Sequence, residues 1–240
     1  MVSEFRSRYR AQALGVAWSL LSPIATMFVL NLVLGPTFGR PHYSMYLLLG
    51  LIVWSFVSSA TNAAIATFVA KADIVKRSPA LRIVLPVSVM ASYVINLGIE
   101  TLALLAFTPL VAGSVQLSWA LLAVPAIVLV LVILLAGVAL LGATLNALYR
   151  DVAYITSTAL VFLFWLTPIV YPLDRVGEPY RAVLAANPLA TIVEAIRGAT
   201  MDGAWPSAQA WAIMVGSACA VLALGVGTFR RLEAAVLDHV

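Results

Sequence analysis

Charge is scarce in this chain of 240 residues: 10 Asp and Glu with 14 Lys and Arg make up only 10% of it. Soluble domains carry roughly 25% charged residues, so an ordinary soluble globule is excluded. A disordered tail is excluded too and, despite the net charge of +4, so is a nucleic-acid binder. Cysteine is limited to Cys219, which rules out an internal disulfide or a thiolate metal cluster. The two histidines, His42 and His239, stand far apart in sequence. No glycine-rich phosphate loop of the G-x-x-x-x-G-K-[ST] type is present, so any ATP used here is bound by another chain. No cluster of His, Asp, Glu or Cys offers a metal site or an acid–base pair within the apolar stretches. The chain itself is therefore expected to hold no cofactor and to catalyse no reaction.

Apolar residues fill the space left by charge, at 63% of the chain with a mean hydropathy of +1.04. This pattern predicts an all-α integral membrane protein. A helix crosses the hydrocarbon core with about 20 mainly apolar residues. Apolar stretches, free of charge except for Glu100, predict six spans, at 16–34, 45–69, 83–112, 119–148, 153–171 and 211–229. The basic residues in the loops then fall ten on one side and four (Arg40, Arg175, Arg181, Arg197) on the other, which predicts cytoplasmic termini. The first apolar run is too long for a signal peptide and lacks a small-residue cleavage site, so it reads as a retained span. Trp18, Tyr43, Tyr46, Trp119, Tyr149, Tyr154, Tyr171, Trp205 and Trp211 fall near span ends and read as interfacial anchors.

Four regions ask for more than a span. Residues 1–14 read either as a short basic amphipathic helix lying on the membrane surface or, equally from the spacing alone, as an ordinary basic flank of the first span. The loop 71–82 sets Lys71, Lys76, Arg77 and Arg82 around Ile74, Val75 and Leu81, giving a short helix with an apolar knob able to dock a soluble partner; a solvated basic turn is the plainer reading. The connection at Asn146, Tyr149, Arg150 and Asp151 is by its own chemistry merely a loop. The outer segment 173–206 is too long for a tight turn and too short for a domain. Within it, Asn187-Pro188 reads as a helix start, Glu194 and Arg197 can pair, and Gly198 reads as a stop. A shorter run from Tyr180 precedes it, so two short amphipathic helices are expected at the outer boundary. Glu100 is the one acid within an apolar span, with Asn96 one turn away; intramembrane acids are costly and point either to function or to helix packing.

Together these stretches resemble the permease subunits of type-2 ABC exporters, in the branch that exports lipid-linked polysaccharides such as O-antigens, teichoic acids and galactan. The resemblance begins with Arg8-Tyr9-Arg10, Leu14-Gly15, Trp18 and Leu21-Ser22-Pro23. It continues through Leu85-Pro86, the run from Asn146 to Val152, and the run from Thr167 to Pro172. Asn187-Pro188-Leu189 and Arg197 complete it, in order along nearly the whole chain. Two departures are a short segment before Arg8 and Ser78-Pro79 where relatives often have Phe-Pro.

The resemblance implies a single transmembrane domain over residues 1–240 in a bacterial inner membrane. It works as a homodimer with two copies of a cytoplasmic ABC ATPase, which carries ATP and Mg. Residues 1–14 and the coupling residues Asp73, Ile74, Val75, Lys76 and Arg77 would meet that ATPase. Tyr180, Asn187, Pro188 and Arg197 would belong to outer gate helices. Phe28, Phe162, Trp165, Tyr171 and Glu100 would line the pathway between copies, and Arg8, Arg10 and Arg150 would receive the lipid phosphate. The implied function is ATP-driven export of a lipid-linked glycan across the bilayer. The alternatives are a type-2 ABC permease for a lipid or drug and, from another class, an ion-coupled carrier or channel.

Overall fold

The computed structural model describes residues 17–77, 82–107 and 118–239, and every regular element among them is helical. Helix α1 (Ala17–Phe38) turns through Gly39 and His42, both at positive φ, into α2 (Tyr43–Ile65). Two short helices, α3 (Thr67–Ala70) and α4 (Ala72–Arg77), lead to α5 (Val84–Phe107). A 3₁₀ turn at Trp119–Leu122, capped by the Ser118 side chain, runs straight into α6 (Ala123–Leu148). After α7 (Val152–Trp165) come a 3₁₀ turn at Leu173–Arg175 and the short helices α8 (Tyr180–Ala185) and α9 (Pro188–Arg197). A π turn at Gly198–Asp202 and the long helix α10 (Ala208–His239) follow.

Five of the described helices (α1, α2, α5, α6 and α10) are long and apolar enough to cross a bilayer, and α7 is a shorter apolar one. With the composition above, this makes the chain a multi-pass membrane protein. At 1.5 Å per residue, the 14 residues of α7 reach about 21 Å, short of the roughly 30 Å hydrocarbon core. The helix expected over 153–171 therefore stops early, because Pro168 has no N–H to give and its ring disfavours helical geometry in the residue before it. The span expected over 45–69 is also broken, at Ala66. There the Ile65 carbonyl accepts from Asn146 Nδ2 at 3.3 Å, while Asn146 Oδ1 accepts from the Ala153 amide at 3.1 Å. One side chain thus fixes the break in α2 and the start of α7 together. Gly198 does not stop α9 either: its φ of −56° is helical, and Gly203, at φ 63°, ends the run.

Helix α2 is the central post, with 61% of its span residues buried, against 6% for the apolar stretch of α1. The closest helix pair is α6 with α10. A Cβ on Gly225 would strike the backbone of Gly137, and a Cβ on Gly137 would strike the backbone of Val221 and Leu222. Small residues that let helix backbones touch are the usual means of holding membrane helices together, since lipid gives no hydrophobic push. Hydroxyls inside the spans are satisfied locally: Thr67, Ser92 and Thr144 donate to carbonyls one turn back, at 3.1, 3.3 and 2.7 Å.

Backbone contact at Gly137 leaves no flexible atom to yield. Gly225→Val should therefore lower stability by at least about 1–3 kcal/mol, read as a lower thermal midpoint of the detergent-solubilised chain. Gly216→Ala, with open space around the new methyl group, should leave the midpoint unchanged.

Candidate functional site

Where α7 gives out, the chain continues through 166–171 without a helical ladder, yet Thr167, Ile169 and Val170 are almost fully buried. Irregular backbone at membrane depth survives only when its polar groups are covered and bonded within the protein. Side chains supply the donors here. The Tyr171 hydroxyl donates to the Trp165 carbonyl at 2.6 Å, and Asn187 Nδ2 to the Leu166 carbonyl at 3.2 Å and to Thr167 Oγ1 at 3.0 Å. Arg197 gives Nη1 to the Pro168 carbonyl at 2.6 Å and Nη2 to the Ile169 carbonyl at 2.8 Å. The Tyr43 hydroxyl donates to the Val170 carbonyl at 2.6 Å, and that of Tyr46 to the Tyr171 carbonyl at 3.0 Å.

Arg197 is the centre of this node. It is 2% exposed and sits on the last turn of α9. Besides its two bonds to 168 and 169, it gives Nε to the Tyr46 carbonyl at 3.1 Å and Nη1 to Glu194 Oε1 at 2.7 Å. Its guanidinium carbon lies 3.4 Å from the centroid of the Tyr46 ring. Burial pulls the Arg197 pKa down from its ordinary value, while the Tyr46 oxygen and the Glu194 carboxylate push it back up. Gly50 completes the seat, because any side chain there would run into Arg197 Nη2. Asn187 has a second task, its Oδ1 accepting from the Leu189 amide at 3.0 Å to cap α9 ahead of Pro188.

The structure thus brings Tyr171, Asn187, Pro188 and Arg197 to one place, and leaves Tyr180 exposed on α8. Phe28, Phe162 and Trp165 are each more than half exposed, on α1 and α7. Glu100 does not share their surface. It is 4% exposed, beside a cavity of about 240 Å³ lined by Ser22, Ser55, Phe56, Ser59, Tyr93, Asn96 and Leu97, between α1, α2 and α5. Arg150 is exposed in the turn before α7, and Arg8 and Arg10 lie outside the described residues, as does the expected surface helix over 1–14.

The coupling residues divide. Asp73, Ile74, Lys76 and Arg77 are exposed on α4, but Val75 is fully buried against Phe68, Leu85, Phe229 and Val236. Val75 is a peg holding α4 down, and the exposed apolar knob is Ile74 alone. Tyr43 and Tyr46 are corrected as well: at 4% and 1% exposure they are buried donors and not interfacial anchors. Sequence reasoning missed these two, Gly50 and Asn146. The one signal for Asn146 was its place in the stretch that carries the resemblance. Among the described residues, no group of three His, Cys, Asp or Glu could hold a metal.

The chain is similar in sequence to known membrane transport proteins. The family described as ABC-2 type transporter matches residues 1–201. The O-antigen export system permease protein RfbA of Klebsiella pneumoniae is 31% identical over 212 residues, covering 83% of this chain and 78% of that protein. Its Myxococcus xanthus counterpart of the same name is 25% identical over 86% of this chain and 80% of that protein. The polysialic acid transport protein KpsM of Escherichia coli is 24% identical over 98% of this chain and 92% of that protein. The fold is that of a membrane permease, a transport subunit and not an enzyme. This chain belongs to the ABC-2 type transporter family.

Replacing Arg197 leaves several buried acceptors without a donor. Arg197→Gln should cost about 3–5 kcal/mol, seen as a lower thermal midpoint and faster proteolysis within 166–179. Arg197→Lys should recover only part of this, because one ammonium cannot reproduce a planar fork.

Proposed function

We propose that this chain is the membrane subunit of an ATP-driven exporter that moves a lipid-linked polysaccharide from the cytoplasmic to the outer side of a bacterial inner membrane. The observation that carries the reading is its similarity, over most of the chain, to permeases named for O-antigen export and polysialic acid transport. In this reading α7 and the segment 166–171 together make the fifth of six crossings, and both termini are cytoplasmic. Two copies form the pathway, with two copies of a separate ATPase that carries ATP and Mg.

The residues take their parts from chemistry. Asp73, Ile74, Lys76 and Arg77 form the surface of α4 offered to the ATPase, which residues 1–14 also contact. Arg8, Arg10 and Arg150 meet the lipid phosphate, for which guanidinium geometry is suited. Phe28, Phe162, Trp165 and the ring of Tyr171 present flat faces to sugar C–H surfaces. Helices α8 and α9, with Tyr180, Asn187, Pro188 and Arg197, form the outer gate. ATP closes the ATPase pair, α4 moves with it, and the subunits part to pass the glycan.

Two measurements test this. The chain should co-purify with its ATPase, and the reconstituted pair should hydrolyse ATP and carry lipid-linked glycan into vesicles. Ile74→Asp should weaken ATPase binding by about tenfold or more, as expected for a central apolar contact, with the fold intact because Ile74 is 42% exposed. Transport of a lipid or drug, but of no glycan, would overturn the substrate; transport with no ATPase bound would overturn the class.

A further inference from the structure

The peg at Val75 is one of two ties between α4 and the far end of the chain. Arg82, just beyond α4, gives Nε to the Val75 carbonyl at 2.9 Å and Nη1 to Glu233 Oε1 on α10 at 2.9 Å. The Arg82 side chain is 12% exposed and that of Glu233 is 38% exposed, so the pair is partly shielded from water. Directly beside it, Val75 packs with Phe229 and Val236 of α10, and the Phe68 and Phe229 rings lie 5.8 Å apart. One guanidinium therefore holds the end of α4 and the C-terminal part of α10 at once.

The routes leading away from α4 differ in stiffness. Toward α2 the helix is broken at Ala66, and the Ile65 carbonyl is bonded by Asn146 instead of a residue one turn ahead. Toward the other side, α10 is one helix of 32 residues, about 48 Å long, locked to α6 by backbone contact at Gly137 and Gly225. Its N-terminal part, at Trp211 and Met214, shares a core with Ile192 and Ile196 of α9, which carries Arg197.

We propose that Arg82 and Glu233 form a latch that makes α10, and not α2, the rod transmitting movement of α4 across the membrane toward the outer segment. Arg82 is a positioning residue: it touches neither substrate nor nucleotide and acts by keeping α4 and α10 moving together. This rests on the reading that α4 docks an ATPase.

The test uses the full chain with its ATPase in vesicles, comparing Glu233→Gln, Arg82→Gln and the exchanged pair Arg82→Glu with Glu233→Arg. Retained ATPase, ATP hydrolysis and glycan exported per ATP are read separately. Each single change should leave binding and hydrolysis within about twofold and lower export per ATP by about tenfold, the scale of coupling between residues in direct contact. The exchanged pair should recover most of that loss, which a merely structural role for Arg82 would not produce. Unchanged export per ATP in the single variants overturns the latch, and so does an exchanged pair no better than either. Loss of the ATPase from the single variants overturns it too, since Arg82 would then belong to the docking surface. An unaltered chain that binds no ATPase overturns the functional reading itself, a separate result.

Discussion

The half of this permease built around residues 166–202 depends on the guanidinium of Arg197. A buried charge in a membrane protein costs several kcal/mol unless it is paired and fully bonded, and here four directed bonds and an aromatic face meet it. The return on that cost is structural. Residues 166–171 do not continue the helix of α7, and without donors from outside their carbonyls would be stranded at depth. Arg197 from α9, Asn187 ahead of it, and Tyr43 and Tyr46 from α2 provide those donors. Only a flat, branched cation reaches the carbonyls of Tyr46, Pro168 and Ile169 and the Glu194 carboxylate together, and only a glycine at position 50 leaves it room.

The other end of the molecule is built on a different principle. There the fixed elements are apolar: Val75, Phe68, Phe229 and Val236 close a small core, with Asn146 and Arg82 each bridging two helices at its edge. Between the two ends, α6 and α10 touch backbone to backbone. Helix α1 stands apart, since Phe28, Val29, Leu32 and Val33 are all more than half exposed, as are Tyr154, Phe162 and Trp165 of α7. In a bilayer such faces are covered by lipid or by another protein, and they fall on the helices to which the proposed function assigns the pathway.

Composition made the helical membrane character legible, and the spans near 119–148 and 17–38 could be placed from charge-free runs alone. Asn187-Pro188 was readable as a helix start because an amide cap, proline at the first helical position and apolar residues at helical spacing follow one another there. The misplacements share a cause. Hydropathy runs on through Thr167 to Tyr171 as if a helix continued, and nothing apolar signals that the backbone has changed and needs donors from elsewhere. Tyr43 and Tyr46 have the same side chain whether they anchor at a headgroup or bond a buried carbonyl. Gly198 and Gly203 are the same residue, and only the fold assigns the left-handed turn to the second. Val75 was within reach: neighbours on a helix point about 100° apart, so Ile74 and Val75 could not both be the exposed knob.

Because the segment 166–171 is held by side-chain bonds from two different helices, its movements are constrained in kind. Arg197 bonds α2 at Tyr46 and the segment at Pro168 and Ile169 with one rigid group. Helix α9 cannot slide gradually away from α2 while keeping half of these bonds, since the fork is planar and its donors point in fixed directions. Either α2, the segment and α9 travel as one body, or the whole set breaks and must find other partners. Packed polar nodes of this sort favour discrete arrangements over continuous deformation. The stop of α7 at Trp165 then takes on a purpose: an unbroken helix would bond its own carbonyls and withhold those of Pro168 and Ile169 from Arg197, whereas a broken one lends them to its neighbours and ties the fifth apolar stretch to α9.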